Sequence, residues 1–176
     1  MIRMGKIVLY IAISVDGYIA CEDGSVDWLE DVRGDGSDNG YGAFYDEIGS
    51  LVMGRKTYEK VLQLTNNFPY AGKPCFVLSR MLAGETEHVT FINEAISDVL
   101  ERAKSSAEGD VWLVGGGEVV KECLANGLLD DLYVAIIPKV LGGGIPLFPK
   151  GSEAVFVLAD VKKFGDIVSI HYWRKD

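Results

Sequence analysis

The residues from Ile7 to Ile13 form an unbroken apolar run rich in β-forming side chains, and the run stops at Ser14-Val15-Asp16-Gly17. A strand with one wet face alternates apolar and polar positions, so a continuous run suits a central strand covered on both sides. Ser50 to Met53, Cys75 to Leu78 and Val111 to Val114 repeat that character in shorter form, and Leu132 to Ile137 does so until Pro138 closes it. His88 to Ile92 reads as one more short strand. Between these runs the period lengthens. Tyr58, Val61 and Leu62 recur at helical spacing up to Leu64, and Ile96, Val99, Leu100 and Ala103 follow a helical repeat behind Asn93, a candidate N-cap. Phe44 to Ile48 predicts one or two helical turns, and a helix is expected after Gly115-Gly116-Gly117, closed by Gly127. Glu153 to Val161 and Ile167 to Trp173, joined around Phe164-Gly165-Asp166, predict a terminal antiparallel hairpin. Strands alternating with helices and ending in a hairpin predict an α/β domain with a mixed sheet. No repeat, low-complexity tract or linker divides residues 1–176, which read as a single domain.

Two segments break the rhythm. From Asp16 to Gly42 the chain carries eight acidic residues among glycines, with Trp28-Leu29 in the middle. A loop of that length is either a lid packed on a ligand or a solvated acidic loop with one apolar anchor. Leu141-Gly142-Gly143-Gly144 through Pro149 is a second glycine cluster, but no helix follows it, so it reads as a turn or a substrate-side wall.

Composition narrows the class. The 48% hydrophobic and 24% charged content is that of an ordinary globular protein. A formal net charge of −9 argues against nucleic acid as the main partner, because such binders present a basic face to phosphates. Cys21, Cys75 and Cys123 have no Cys-x-x-Cys spacing, and His88 and His171 are the two histidines, so free thiols and no metal site are expected. Arg3 and Lys6 before the apolar run, with Ile19-Ala20-Cys21 after it, mimic a lipoprotein signal, but Asp16 interrupts the segment and the run is too short to span a membrane. A cytoplasmic protein without membrane attachment is expected.

The chemistry lies at the ends of the apolar runs. Val111 to Val114 leads into three glycines and a helix, an arrangement that allows close backbone approach and points free N–H groups at an anion. Met53 leads into Gly54-Arg55-Lys56-Thr57 and a second helix, and Leu78 leads into Ser79-Arg80. Open α/β sheets bind ligands outside the carboxyl ends of their strands, so these three ends are expected along one edge. Two helix N-termini and two arginines suit a ligand with several phosphates, and NADPH is the natural candidate, with Arg55, Ser79 and Arg80 on its additional ribose phosphate. The Walker pattern is absent, and the dinucleotide fingerprint met at Gly115 and Gly117 fails at Val120. Glu118 complements the helix dipole but would repel a phosphate, so it is expected to point away.

In order, Ser14-Val15-Asp16-Gly17-Tyr18-Ile19-Ala20, Met53-Gly54-Arg55-Lys56-Thr57-Tyr58-Glu59, Val77-Leu78-Ser79-Arg80, Val114-Gly115-Gly116-Gly117 and Leu129-Asp130-Asp131-Leu132 resemble the dihydrofolate reductase superfamily over nearly the whole chain. The first of these and the Pro138 to Phe148 segment are most similar to the reductase domain of riboflavin biosynthesis and its bacterial relatives. The resemblance implies a three-layer fold, a mixed and mostly parallel sheet of about eight strands with helices on both faces and a C-terminal hairpin. It implies NADPH held by Gly54, Arg55, Lys56 and Thr57 at phosphates, by Leu78, Ser79 and Arg80 at the adenosine end and by Gly115 to Gly117 at the pyrophosphate. Ala12, Gly17, Val114, Glu118 and Val119 would complete that cleft, and Tyr18, Trp28 and Tyr58 would meet a planar substrate. A homodimer through the hairpin or the Pro138 to Pro149 segment is likewise implied.

Against that pattern the chain departs where substrate is held. Folate reductases place a carboxylate on the helix after the first-loop tryptophan, and here Asp27, Glu30, Asp31 and Asp38 are the acids at hand. Asp16, ending the central strand, is the first candidate for a catalytic carboxylate and Asp27 the second. Lys73 stands where folate reductases carry an arginine for the glutamate tail, and lysine does not replace its bidentate geometry. The riboflavin-pathway reductases carry an acid where this chain has Gly115, and an Asp-containing motif where it has Glu59-Lys60-Val61-Leu62. The leading expectation is a reductase of 5-amino-6-(5-phosphoribosylamino)uracil or a related heterocycle. A dihydrofolate reductase and a non-catalytic NADP(H)-binding protein are the alternatives.

Overall fold

Side chains along the middle strands alternate between two separate cores, and that alternation defines the layers. The computed structural model describes residues 5–32 and 34–175; Arg3, part of the signal-like pattern, lies outside them. In chain order the elements are β1 (Ile7–Ser14), β2 (Tyr18–Ala20), a short 3-10 helix (Asp27–Asp31), α1 (Tyr41–Asp46), β3 (Ile48–Gly54), α2 (Arg55–Leu64), β4 (Cys75–Leu78) and β5 (Gly84–Glu85). They continue with β6 (Thr90–Ile92), α3 (Ile96–Ser106), β7 (Asp110–Gly115), α4 (Gly117–Ala125), β8 (Asp131–Ile137), β9 (Ile145–Pro146), β10 (Phe156–Phe164) and β11 (Ile167–Arg174).

The main sheet has nine strands in the order β10-β11-β8-β1-β7-β3-β4-β6-β5. From β8 to β6 every pairing is parallel, and β11, β10 and β5 run against their neighbours. The ninth strand beyond the expected eight is β5, a two-residue addition to β6. Ile7, Leu9, Val52, Phe76, Val111 and Leu113 face α3 and α4, whose Val99, Leu100, Val120 and Cys123 complete that core. Val8, Leu51, Met53, Val77 and Trp112 face the other way and pack with Phe44 and Tyr45 of α1 and Tyr58 of α2. Leu9, Leu51, Val52, Met53 and Leu113 are fully buried, which is why their strands read as unbroken apolar runs.

The α3 helix starts later than expected: its N-cap is Ala95, with no side-chain cap, rather than Asn93. The α1 helix spans 41–46 instead of 44–48, because Asp38 accepts N–H bonds from Gly40 (2.9 Å) and Gly42 (2.9 Å) and so fixes an earlier start. Gly127 does close α4. It sits at φ +63 and Leu128 N–H donates to Cys123 O at 2.9 Å, the left-handed termination that glycine favours. The hairpin forms with its strands at 156–164 and 167–174.

A second sheet, absent from the sequence expectations, pairs β2 with β9 antiparallel. It joins the first loop to the glycine-rich segment after β8, across more than a hundred residues. Among the described residues no helix is long and apolar enough to cross a membrane.

Candidate functional site

Register places the three strand ends together. Met53 of β3 lies beside Gly115 of β7, and Gly54 lies beside Leu78 of β4, so Gly54, Leu78 and Gly115 share one edge of the sheet. Each of the two flanking helices begins at a glycine without any side-chain cap: Gly54 before α2 and Gly116 before α4. Among the described residues no side chain caps their first-turn N–H groups, and a helix N-terminus left uncapped in this way favours an anion.

The two helix starts are nearly in contact. A Cβ built on Gly54 would meet Val119 Cγ2 at 3.3 Å and Gly115 O at 3.8 Å, and one on Gly116 would meet Thr57 Oγ1 at 3.5 Å. The peptide between Gly115 and Gly116 is cis. The lack of a side chain at Gly54 and Gly116 permits this close approach, and beside Gly115, where a Cβ would meet nothing within 4 Å, it leaves a backbone-lined groove. On its far side Gly117 abuts β9 and the residues just after it, with Pro146 O 3.1 Å and Pro149 Cγ 3.2 Å from where its Cβ would stand. The glycine-rich segment thus forms a wall against the first turn of α4.

Cations and hydroxyls border the groove. Arg55 is two-thirds covered and donates from Nη1 to Glu59 Oε1 at 2.7 Å, one turn along α2. That bond holds the guanidinium in place and leaves its other donors available. Ser79 is buried; its Oγ accepts N–H bonds from Met81 (3.1 Å) and Leu82 (2.8 Å), which leaves the hydroxyl proton to donate outward. Arg80 is exposed and makes no ion pair among the described residues, and Lys56 and Glu118 are exposed on their helices.

The substrate-side candidates diverge. Trp28 is buried on the β1–β8 face with Ala12, Cys21, Ala135 and Ile137, and its indole N–H has no acceptor among the described residues. Tyr18 lies half-buried on β2, whereas Tyr58 turns into the core of α2, edge-on to Phe68 and Phe91. Gly17, at φ +91, has open space around it.

Of the acids, Asp38 caps α1 and Asp31 pairs with Lys139 at 2.6 Å. Asp27 and Glu30 lie in the first turn of the 3-10 helix, exposed. Asp16 Oδ1 accepts from Ser14 Oγ at 2.6 Å and from Leu141 N–H at 3.1 Å, and Oδ2 accepts from Gly142 N–H at 2.8 Å. These bonds, the Ser14 hydroxyl first, hold its carboxyl below the usual aspartate range.

Lys73 does not face a cleft. Its Nζ donates to Tyr45 O at 2.8 Å and to Ile48 O, and it rests 4.1 Å above the Tyr45 ring. The ammonium is thus spent on the end of α1. The wall of α1 toward the sheet is aromatic: Tyr10 stacks on Phe44 at 4.1 Å, with Trp112 edge-on to Phe44 at 5.3 Å. A cavity of about 410 Å³ borders that wall, between α1 and the β8, β11 and β10 strands, and none of the glycine-edge residues lines it. Burial pushes the Cys75 and Cys123 thiols up to about 12, so both stay protonated and unreactive at neutral pH.

A central, mostly parallel sheet with helices on both faces and a glycine-lined, cation-flanked edge defines a reductase fold of the dihydrofolate reductase type. Dihydrofolate reductase from Enterococcus faecalis, solved with NADP(H), superposes with a TM-score of 0.67 over the full length of both chains at 24% identity. The chain belongs to the RibD C-terminal domain family, which residues 5–169 match. It is 44% identical over 171 residues to the uncharacterized protein YwjB of Bacillus subtilis, covering 96% of this chain and 98% of that one. A Shewanella sp. PV-4 protein provisionally assigned to riboflavin biosynthesis superposes with a TM-score of 0.87 at 30% identity, over 97% and 99% of the two chains. The Thermotoga maritima deaminase and 5-amino-6-(5-phosphoribosylamino)uracil reductase matches 98% of this chain but 57% of its own length, with a TM-score of 0.73 at 17% identity.

Proposed function

We propose that the chain is a cytoplasmic, NADPH-dependent reductase of a small heterocycle, most like 5-amino-6-(5-phosphoribosylamino)uracil. The observation that carries this reading is the meeting of two uncapped helix N-termini across Gly54 and Gly115-Gly116, with Arg55, Ser79 and Arg80 beside them. The N–H groups of the α2 and α4 first turns would hold the pyrophosphate, and Arg55, Ser79 and Arg80 the ribose phosphate that separates NADPH from NADH. Bound NADPH would supply a hydride for a C=N or C=O of the substrate. Ala12, Gly17 and Val114 would border its nicotinamide end, and the first loop with Trp28 would exclude water from the space above.

Arg80→Ala and Arg55→Ala are each expected to weaken NADPH binding on the order of ten- to a hundredfold, since each charge-assisted hydrogen bond contributes roughly 1.5–3 kcal/mol. NADH binding should barely change. Tryptophan fluorescence titration with both cofactors measures this, and equal affinity of the wild-type protein for the two would refute the assignment. Turnover of an aminopyrimidine riboside in a panel with dihydropterins and dihydrofolate would support the substrate class. Dihydrofolate fits less well, because Asp38 and Lys73 are engaged within and at the ends of α1. NADPH binding without oxidation by any panel member would favour a non-catalytic cofactor-binding protein.

We also propose a homodimer through the hairpin. The β10 strand is an edge of the sheet, and Val157, Leu158, Val161 and the adjoining Trp173 are exposed. Antiparallel pairing of two copies centred on Val161 would set Asp160 of each opposite Lys162 of the other, a favourable cross-strand pair. Sedimentation velocity should give a dimer that Val161→Lys converts to monomer; a monomeric wild type at micromolar concentration would rule the pairing out.

A further inference from the structure

Asp16 lies exposed just past the end of the central strand, and its carboxylate accepts every bond recorded for it. Two of the three donors, the amides of Leu141 and Gly142, lie 125 and 126 residues away in the segment after β8. The third, Ser14 Oγ, is fully buried and itself accepts from Tyr18 N–H at 3.0 Å. Around this carboxylate the same two stretches are stitched further. Val15 N–H donates to Lys139 O at 2.9 Å, Leu147 N–H donates to Gly17 O at 3.1 Å, and β2 pairs with β9.

Leu141 packs beside Trp28 and Leu147 is buried in the core under α3 and α4, but the stretch between them has nothing of its own to hold it. Gly142 and Gly144 sit at φ +75 and +143, and residues 142–144 have no side chains to pack. Such backbone is entropically expensive to fix and needs an external anchor. Two and five residues beyond Gly144, Pro146 O and Pro149 form the wall against Gly117 at the start of α4.

We propose that Asp16 is a positioning residue: its carboxylate pins the Leu141 and Gly142 amides so that residues 145–149 close against the first turn of α4 and complete the cofactor groove. The consequence for the cofactor rests on the NADPH reading above, whereas the clamp itself does not. A protonated Asp16 would turn one oxygen into a donor facing an amide N–H, so the clamp requires the anion. Because the carboxyl value is lowered in the folded chain, the clamp is complete above the ordinary aspartate range and is lost only as pH falls through the lowered value. The charged groups on adjoining segments are the Lys139–Asp31 pair and Glu22, whose Oε1 lies 3.6 Å from where a Gly143 Cβ would stand.

Amide hydrogen exchange by NMR, with NADPH titration on the same samples, tests this. In Asp16→Ala the Leu141 and Gly142 amides should exchange on the order of tenfold faster or more, while Leu9 and Leu113 stay slow and report an intact core. Asp16→Asn keeps one acceptor oxygen and should protect one of the two amides. NADPH affinity should fall on the order of tenfold in Asp16→Ala, and NADPH should further slow both amides in the wild type. Unchanged exchange in both variants would overturn the clamp. Faster exchange with unchanged NADPH affinity would overturn its role in the groove. A wild type that binds no NADPH would refute the cofactor reading and the positioning role with it, and the exchange data would still show whether Asp16 holds the loop.

Discussion

Gly54→Val is expected to weaken NADPH binding by a hundredfold or more while the protein stays folded. Gly54 is at φ −75 and ψ 162, extended backbone that valine adopts without strain, so the substitution acts through space alone. Its Cβ would press on Val119 Cγ2, the end of a side chain that can shift, and its methyl groups would enter the groove between the α2 and α4 starts. Crowding of that kind costs roughly 1–3 kcal/mol of stability. For a chain of this size each kcal/mol moves the melting temperature by about 2–4 °C. Loss of even two phosphate contacts removes about 3 kcal/mol or more of binding, hence the hundredfold. Calorimetric titration beside a thermal melt separates the two effects, and retained affinity would show that the phosphates lie elsewhere.

Leu9→Ala should be among the single changes most damaging to stability. Leu9 is fully buried on β1, between β7 and β8, and packs into the core under α3 and α4. Truncating a buried leucine costs about 2–5 kcal/mol, toward the upper end where the surroundings cannot collapse. A strand hydrogen-bonded on both sides has little freedom to collapse. Urea denaturation with an unchanged m-value measures the loss, and a change below about 1 kcal/mol would mean that the site refills.

Much of this architecture is legible in the linear chain because burial on both faces forces continuous apolar runs, and β1, β3, β4 and β7 are such runs. The ends of β3, β4 and β7 are equally visible, since each stops at or beside a glycine or serine followed by cations or a helix. Short pairings were not. The β2–β9 sheet contributes three residues on one side and two on the other, too few to show a period, and its partners are set by tertiary contact. The same limit applies to side chains whose use depends on distant backbone. Nothing beside Lys73 in sequence signals that it caps carbonyls at 45 and 48, nothing near Asp16 names the amides at 141 and 142, and Tyr58 has no mark showing that it turns inward. Asp38, by contrast, precedes Gly40 and Gly42 closely enough that its capping role could have been read locally.

The two borders of the main sheet are unequal, and that inequality limits how copies can associate. One border is β10, nine residues long; the other is β5, the two residues Gly84–Glu85. A filament needs both ends of each subunit to accept a neighbour, whereas a symmetric pair uses the same end twice. A stub of two residues ending in a glutamate offers no such second face. In the proposed dimer, strand addition at β10 would therefore close after two copies, and the β10 border would serve assembly without opening a route to fibres.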